Sequence, residues 1–250
     1  MKLSRALQKG LRLLADPVIR RQALNAVDAY ERLRPAECAC CGFKGRFVST
    51  GDAPVGSLCP ACRSWDRHRL FALALERGFL DVTGRDVVNC GPETRVWDLV
   101  EAAQPRTHRA IAREVQQADE FGSIEALRLA PASVDVVIAI HSLEHVDDRR
   151  ALAEVRRVLR PRGALVAMVP LIEGWATTYE NPAIESGPDR ETHFGHSSHL
   201  RWYGADFRER LAAAGFVLTE FTAEPADAVR YRLRRGEKVF LGRFGAVDLA

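Results

Sequence analysis

The sequence predicts an α/β fold built on a mostly parallel sheet. In the C-terminal two thirds of the chain, short apolar runs alternate with segments of helical periodicity. Two of these runs, Val134–Ile140 and Ala164–Val169, are almost continuously apolar, which is typical of strands covered by helices on both faces. Between them, Arg149–Leu159 has the periodicity of an amphipathic helix. A strand–helix–strand order of this kind favours right-handed crossovers and therefore parallel pairing.

The remaining elements extend this alternation over a domain at residues 66–250. Further strands are predicted at Asp86–Asn89, His108–Ala112, Phe216–Phe221 and Lys238–Leu241, and further helices at 66–77, with Asp66 as its N-cap, and at Ala205–Ala214. We expect the last two strands to pair as an antiparallel edge of the sheet. Residues 171–203 form a long insertion, and connections of this length are typically lids or binding loops.

Charge divides the chain further and argues against some classes of protein. The 250 residues carry a net charge of +3, and residues 1–35 hold eight basic against three acidic side chains, a balance of +5. Residues 1–34 predict a basic helical segment, a candidate contact for a membrane surface or a protein partner. The near-neutral remainder argues against a nucleic-acid partner. No apolar stretch approaches the roughly 20 residues of a membrane span, so we expect a cytoplasmic protein.

A separate small unit, predicted at residues 36–65, is organised by cysteines. The spacing C-x2-C-x17-C-x2-C, which is typical of a zinc ribbon, is formed by Cys38, Cys41, Cys59 and Cys62. Two knuckles of this kind present four thiolates to one ion and leave no coordination position open, so we expect Zn²⁺ in a structural role. Cys40 offers an alternative register, and a redox pair is the competing interpretation of the motif.

Several motifs resemble one protein family when they are taken together. The run Val134–Val146 and the segment Glu154–Gly163 are similar to the fourth strand and the next helix of class I, S-adenosylmethionine-dependent methyltransferases of type 11. The segments Cys59–Leu70 and Phe194–Phe207 resemble a bacterial subgroup of that family with an N-terminal zinc ribbon. The resemblance implies a Rossmann-like seven-stranded methyltransferase sheet that holds S-adenosylmethionine at the carboxyl ends of its strands.

The resemblance also implies a set of cofactor-binding residues at those strand ends. They are Cys90, Gly91, Glu93, Glu114, Ser123, His141 and Ser142. Glu114 corresponds to the acidic residue that accepts the ribose hydroxyls. Two positions depart from the family, because the turn after the first strand has one glycine, Gly91, in place of three, and Ser123 replaces an aspartate near the adenine. These departures leave open a relative of the family without catalytic activity.

Histidines in the insertion and after Val134–Ile140 are candidates for catalysis. We expect His145, His199 and Arg201 to act at the methyl acceptor, with His199 as a base and Arg201 as an anion clamp. The spacing of His193, His196 and His199 would place three metal ligands on one side of a helix, but Gly195 makes a helix there doubtful. Capping or ordering of the loop is the favoured alternative for these histidines.

The sequence therefore predicts a methyltransferase that acts on a small molecule, a glycan or a lipid-linked intermediate. Two alternatives stay open. The first is an RNA methyltransferase that uses the zinc ribbon to bind RNA, for which salt-sensitive RNA binding would be the signature. The second is a binding module that keeps the fold without catalytic activity, which cofactor retained through purification would exclude.

Overall fold

The computed structural model of the chain describes residues 16–19, 21–22, 34–49, 56–112 and 120–244. The predicted basic segment at 1–34 lies largely outside the described residues, and Glu114 lies wholly outside them. Their predicted roles therefore stay predictions. In the part of the chain that the structure describes, no helix is long and apolar enough to cross a membrane.

The principal elements alternate along the chain, as the sequence predicts. The helices are α1 (Asp66–Glu76), α2 (Thr94–Ala102), α3 (Asp148–Val158), α4 (Gly187–Phe194), α5 (Phe207–Ala213) and α6 (Pro225–Arg230), with a 3₁₀ turn at Leu143–His145. The strands are β1 (Ala36–Glu37), β2 (Lys44–Gly45), β3 (Asp86–Cys90), β4 (Thr107–Ala112), β5 (Glu120–Phe121), β6 (Val134–Ile140), β7 (Leu159–Met168), β8 (Tyr179–Glu180), β9 (Arg201–Trp202), β10 (Phe216–Phe221) and β11 (Val239–Phe244).

Seven strands form the central sheet in the order β10-β11-β7-β6-β3-β4-β5. Pairing is parallel from β7 to β5, whereas β11 runs antiparallel to both of its neighbours. The predicted seven-stranded α/β sheet is confirmed. The expectation that the last two strands pair as an antiparallel edge of the sheet is confirmed, because β10 and β11 pair antiparallel and lie at one end of the strand order. Strand β11 pairs on both sides through the buried residues Phe240 and Leu241, so β10 is the outermost strand.

The sheet direction brings the ends of several elements to one side of the molecule. Strands β3, β4, β6 and β7 are parallel, so their last residues meet at one edge of the sheet, which we call the carboxyl edge. Because β11 runs in the opposite direction, its first residue, Val239, lies at the same edge. The carboxyl edge of an open α/β sheet is where such folds bind their ligands.

Helix α3 illustrates how the sequence specifies the packing. Its buried face is formed by Ala151, Leu152, Val155 and Val158, which lie against β7 and its neighbours. Asp147 caps its first turn by accepting a hydrogen bond from the Arg149 amide at 3.1 Å. Helix α1 starts differently from the prediction, because Trp65 rather than Asp66 is its N-cap, and the Trp65 amide donates to His68 Nδ1 at 3.1 Å.

Arg69 joins the cysteine-rich unit to the sheet domain. This α1 side chain is fully buried, and its guanidinium donates to four backbone carbonyls. The acceptors are Ser64 (2.7 Å) and Ser57 (3.0 Å) on the cysteine-rich side, and Tyr231 (2.8 Å) and Arg232 (2.8 Å) after α6. The guanidinium also lies 4.7 Å from the centre of the Phe47 ring. The guanidinium of one side chain thus provides hydrogen-bond donors for backbone carbonyls of both units at their junction.

We expect Arg69→Met to destabilise the protein by about 3–5 kcal/mol, because four buried carbonyls lose their donor while the volume is nearly kept. Urea denaturation followed by far-UV circular dichroism measures this change. The control is Arg77→Met on the same helix. Arg77 is half-exposed and forms a 2.7 Å ion pair with Asp227, a contact worth about 1 kcal/mol or less. Equal losses in the two variants would contradict the joining role of Arg69.

Candidate cofactor pocket and metal centre

The turn after β3 and the turn after β6 meet at the carboxyl edge. Gly91 has a φ of +68°, and a Cβ at this position would lie 2.8 Å from Ser142 Oγ. The Ser142 hydroxyl donates to the carbonyl of Cys90 at 2.7 Å, which fixes the two turns against each other. Only a glycine gives this close approach without strain. The structure therefore places three of the predicted cofactor residues side by side.

A partly buried charged group follows directly after β6. His141, also at positive φ (+49°), has its Nδ1 3.0 Å from Glu144 Oε1 and its Nε2 3.9 Å from Glu237 Oε1. Burial acts to lower the pKa of His141, but the two carboxylates outweigh it and raise the pKa to about 9. His141 is therefore an imidazolium at neutral pH, and it can donate a hydrogen bond but cannot act as a base.

We expect His141 to stay protonated up to about pH 9, which NMR titration of its ring carbons measures. Because this pKa lies above the ordinary value of 6.5, the charge stabilises the fold fully below about pH 6.5, and this contribution is lost as the pH rises toward 9. The variant His141→Gln should lack that part of the pH dependence of unfolding. A His141 pKa near 6.5 would contradict the assignment.

Unpartnered polar atoms mark the same region as a place for a ligand. Among the described residues, Asn89 Nδ2, His141 Nε2, Glu144 Oε2 and Glu237 Oε2 are buried without a hydrogen-bond partner. Each buried polar atom without a partner lowers the stability by about 1–3 kcal/mol. A group of them near the carboxyl edge therefore indicates the place of a polar ligand. The sequence offers a signal for Asn89 as a ligand-binding residue, because it is a polar residue inside an apolar strand. Glu237 has no such signal in the sequence, since it lies in a loop with several other charged residues.

Glu93 lies next to the Gly91 turn but is already engaged. It precedes α2 and accepts hydrogen bonds from Arg67 Nε at 3.0 Å and from His68 Nε2 at 2.7 Å. Burial acts to raise the pKa of Glu93, but these two partners lower it to about 2. The carboxylate therefore ties the turn to α1. This contact explains how the helix that follows the cysteine-rich unit supports the candidate pocket.

Ser123 lies just after β5, near the same edge of the sheet. Its hydroxyl donates to Glu125 Oε2 at 2.9 Å, and Glu125 in turn accepts the amide of Asp147 at 3.1 Å. Ser123 is thus connected to the start of α3 through Glu125.

Arg201, the predicted anion clamp, lies in a network of protein partners, and its role as a clamp stays a prediction. Arg201 is buried, and its Nη1 donates to the carbonyls of Val146 (2.7 Å) and Leu143 (3.1 Å). Its Nε donates to Glu180 at 2.8 Å. A guanidinium held by two carbonyls and a carboxylate positions the insertion against the 3₁₀ turn. The sequence could not show this, because all three partners are distant along the chain.

The four predicted zinc ligands converge. The sulfur atoms of Cys38, Cys41, Cys59 and Cys62 all lie within 4.8 Å of one another. Two of the pairs, Cys38–Cys62 and Cys41–Cys59, are 3.6 Å and 3.8 Å apart. A tetrahedral zinc with bonds of about 2.3 Å separates its sulfurs by about 3.8 Å. Cys40, the alternative ligand, is outside the group, so the structure favours the register with Cys41.

Local backbone geometry explains why the sulfurs meet. In the first knuckle the amide of Gly42 donates to the carbonyl of Cys38 at 2.8 Å, and Gly42 has a φ of +73°. In the second knuckle the amide of Arg63 donates to Cys59 at 2.8 Å, and Arg63 takes the same left-handed conformation. The hydroxyl of Ser64 lies 3.2 Å from two of the sulfurs. The cluster is thus built by two similar turns.

Two of the predicted catalytic histidines meet a third one. His145 on the 3₁₀ turn, with His196 and His199 of the insertion, places one ring nitrogen per residue within 4.8 Å of the others. His193 is not part of this group, and its Nδ1 is 2.7 Å from the hydroxyl of Tyr179. Helix α4 ends at Phe194 with Gly195 at a φ of +76°, so the insertion histidines do not share a helix face.

Two cavities differ in their relation to this edge. A cleft of about 270 Å³ lies between the exit of β7 and the loop before β11, and Glu237 lines it together with Val169, Leu171, Arg234 and Arg235. A larger groove of about 980 Å³ lies between α3 and α5, lined by residues such as Arg149, Leu152 and Phe244. Neither cavity is lined by a predicted site residue. The smaller cleft is connected to the candidate pocket, because Oε1 of Glu237 lies 3.9 Å from Nε2 of His141.

Comparison with known proteins agrees with this architecture. Residues 73–167 match the family described as "Methyltransferase domain" (Methyltransf_11), a segment that contains the Gly91 and Ser142 turns. An uncharacterized methyltransferase of Mycobacterium tuberculosis is 32% identical over 145 residues, which cover 56% of this chain and 49% of that protein. The chain spans less than half the length of the curated relatives it matches.

Solved structures show the same fold at low identity. An S-adenosylmethionine-dependent methyltransferase from Mesorhizobium loti has a TM-score of 0.52 at 16% identity, covering 70% of this chain and 97% of that one. Another similar structure is the 1,6-didemethyltoxoflavin-N1-methyltransferase of Burkholderia thailandensis with bound 1,6-didemethyltoxoflavin and S-adenosylhomocysteine. Its TM-score is 0.50 at 16% identity, and the match covers 71% of this chain and 76% of that one. At these identities the likeness establishes the fold.

Proposed function

We propose that this chain, which carries a class I methyltransferase domain, transfers a methyl group from S-adenosylmethionine to a small molecule, a glycan or a lipid-linked intermediate. The observation that carries the proposal is the convergence of Gly91, Ser142 and His141 at the carboxyl edge, with unpartnered buried polar atoms beside them. A polar ligand placed there would satisfy atoms that the protein leaves without partners.

The residues at this edge fit the cofactor. S-adenosylmethionine supplies an electrophilic methyl group on a sulfonium. Gly91 leaves its backbone uncovered where a side chain would collide with Ser142, and Ser142 holds the turn in place. The side-chain amide of Asn89 has no hydrogen-bond partner among the described residues, and Nε2 of His141 has only the 3.9 Å ion-pair contact with Glu237, so both can donate to a ligand. Binding and orientation, rather than covalent chemistry, are what methyl transfer asks of a protein.

The cleft beside Glu237 is the proposed acceptor site. Its walls combine apolar side chains with Arg234 and Arg235, for which no ion pair is found among the described residues, so the site favours a polar or anionic acceptor. Glu237 has a buried oxygen without a partner, which accepts a hydrogen bond from the hydroxyl or amine of the acceptor. The near-neutral charge outside residues 1–35 gives no support to an RNA acceptor.

Isothermal titration calorimetry with S-adenosylmethionine and S-adenosylhomocysteine tests the cofactor part of this proposal. We expect micromolar or tighter binding by the wild-type protein, and no heat at 100 µM ligand, about 100-fold above a micromolar Kd, would overturn it. Transfer of tritium from labelled cofactor to a small-molecule extract tests the acceptor part. The variant Glu237→Gln should reduce this transfer, whereas Glu173→Gln in the same cleft, whose carboxylate is bound by Arg208, should not.

The cysteine cluster is proposed to hold structural Zn²⁺. Two of the sulfur pairs have the separation that a tetrahedral ion requires, all four sulfurs lie within 4.8 Å of one another, and all four positions would be filled by protein. The core of this unit contains only a few apolar side chains, mainly Ala36 and Phe47, so the metal supplies much of its stability. Through Arg69 and the Glu93 contacts, the unit supports the wall of the cofactor pocket rather than the reaction itself.

A further inference from the structure

We propose that His145, His196 and His199 form a second metal site, which binds a divalent transition-metal ion such as Zn²⁺ at the rim of the carboxyl edge. One ring nitrogen from each residue lies within 4.8 Å of the other two, and the three rings come from two separate segments of the chain. A tetrahedral zinc with Zn–N bonds of about 2.0 Å needs separations of about 3.3 Å, so side-chain rotations bring the nitrogens into range.

Hydrogen bonds orient two of the rings for coordination. His199 Nδ1 is 3.1 Å from the carbonyl of Phe194, and His145 Nδ1 is 3.3 Å from the carbonyl of Ser198. A carbonyl can only accept, so the Nδ1 of His199 carries the proton and its Nε2 presents a lone pair. The Nδ1 of His145 also lies 2.9 Å from the Ser198 hydroxyl, which holds this ring in place. Among the described residues, no hydrogen bond to either Nε2 is found. A backbone carbonyl behind a histidine is the usual arrangement for a metal ligand.

The third ring, that of His196, is the one with most freedom to rotate toward a metal ion. His196 is exposed, and its Nδ1 lies 2.9 Å from the Ser198 hydroxyl and 3.2 Å from the Ser198 amide. Metal binding exchanges these weak contacts for a coordinate bond. The centres of the His145 and His199 rings are 4.7 Å apart, and those of His196 and His199 are 5.0 Å apart, so little movement is needed.

The surroundings of the three histidine rings favour the binding of a cation between them. The two neighbouring rings lie close to His199, with ring centres 4.7 Å (His145) and 5.0 Å (His196) away, so one ion can be reached by all three imidazoles. Glu144, completely buried, keeps one oxygen without a partner. Three imidazoles suit zinc, nickel or copper, and they leave a fourth position for water or another ligand.

A metal here would pin the insertion to the turn after β6. His145 lies on the 3₁₀ turn, whereas the other two ligands lie on the insertion beyond α4. Protein contacts already join these segments, since the amide of Leu200 donates to the carbonyl of Glu144 at 2.8 Å. The ion would therefore add to an existing docking contact. This site is separate from the cysteine cluster, which uses none of these residues.

Zinc counting by native mass spectrometry tests the second site. The full chain is loaded with Zn²⁺, passed through gel filtration and weighed. We expect two zinc ions per wild-type chain and one in His196→Ala, whose exposed side chain can be removed without disturbing the core. The matched control is His193→Ala, a histidine of the same insertion outside the cluster, which should keep two ions.

Cobalt spectroscopy separates the two kinds of ligand. Co²⁺ at the cysteine cluster gives intense thiolate charge-transfer bands, whereas Co²⁺ at the histidines gives only weaker d–d bands. We expect the weaker set to appear with a second equivalent of Co²⁺ and to be lost in both His145→Ala and His196→Ala. One zinc per wild-type chain, or equal metal content in His196→Ala and His193→Ala, would overturn the proposal.

Discussion

The variant Cys59→Ser is expected to lose bound zinc and to lower the melting temperature by about 10 °C or more. A serine hydroxyl is a poor replacement for a thiolate, and three remaining sulfurs leave the tetrahedron incomplete. Cys59 is fully buried, so the loss also leaves a polar oxygen without a partner. For a domain of this size, about 3–5 kcal/mol corresponds to a shift of that order. Differential scanning fluorimetry with parallel zinc analysis measures both effects.

The matched control for this prediction is Cys40→Ser. Cys40 lies in the same knuckle as Cys38 and Cys41 but outside the four-sulfur group. Its substitution should leave one zinc at the cluster and change the melting temperature by little. If Cys40→Ser and Cys59→Ser lose zinc equally, the ligand set is different from the one the structure indicates. Addition of a strong chelator to the wild-type protein should reproduce the behaviour of Cys59→Ser.

Features that depend on a short stretch of sequence were predictable. The strand Val134–Ile140 was predicted at its observed bounds, because a continuous apolar run between polar loops leaves little choice. The four cysteines predicted as zinc ligands converge as expected, since each pair needs only its own tight turn. The glycine after β3 was identified by the family resemblance, and its positive φ gives the physical reason.

Features that depend on contacts between distant segments were not predictable. Arg201 looked like a free cation in a loop, yet the carbonyls it binds belong to the turn after β6, more than 50 residues away. Glu237 reaches His141 only because β11 is inserted beside β7. The histidine cluster is a similar case. Spacing suggested His193 as a member, whereas the fold places His145 there instead.

These contacts link the cysteine unit to the candidate pocket along one physical path. Helix α1 begins at the second knuckle, and its Arg67 and His68 hold Glu93 beside the Gly91 turn. The next residue, Arg69, binds carbonyls on both sides of the junction. Loss of zinc is therefore expected to loosen the pocket as well as the ribbon. This coupling is measured by the cofactor affinity of the Cys59→Ser variant at low temperature, where the sheet domain stays folded. We expect that affinity to be lower than in the wild type.

The variant Gly91→Ala is expected to weaken binding of S-adenosylmethionine by at least about tenfold, because small displacements of a binding turn have effects of this size or more. The added methyl group would lie 2.8 Å from Ser142 Oγ, and that hydroxyl is held by the Cys90 carbonyl, so the two turns have to separate. The positive φ of Gly91 adds about 1–2 kcal/mol of backbone strain. Calorimetric titration of the cofactor measures the loss of affinity.

A control and a rescue separate the collision from the strain. Gly84→Ala introduces the same left-handed strain at a φ of +65°, with no atom within 4 Å of the new Cβ, so it should cost stability and leave cofactor affinity unchanged. The double variant Gly91→Ala/Ser142→Ala removes the colliding oxygen and should recover part of the affinity. Equal affinities in Gly91→Ala and the wild type would mean that the cofactor does not use this turn. A loss without recovery in the double variant would assign the effect to backbone strain at Gly91, because the hydroxyl of Ser142 would then not be its cause.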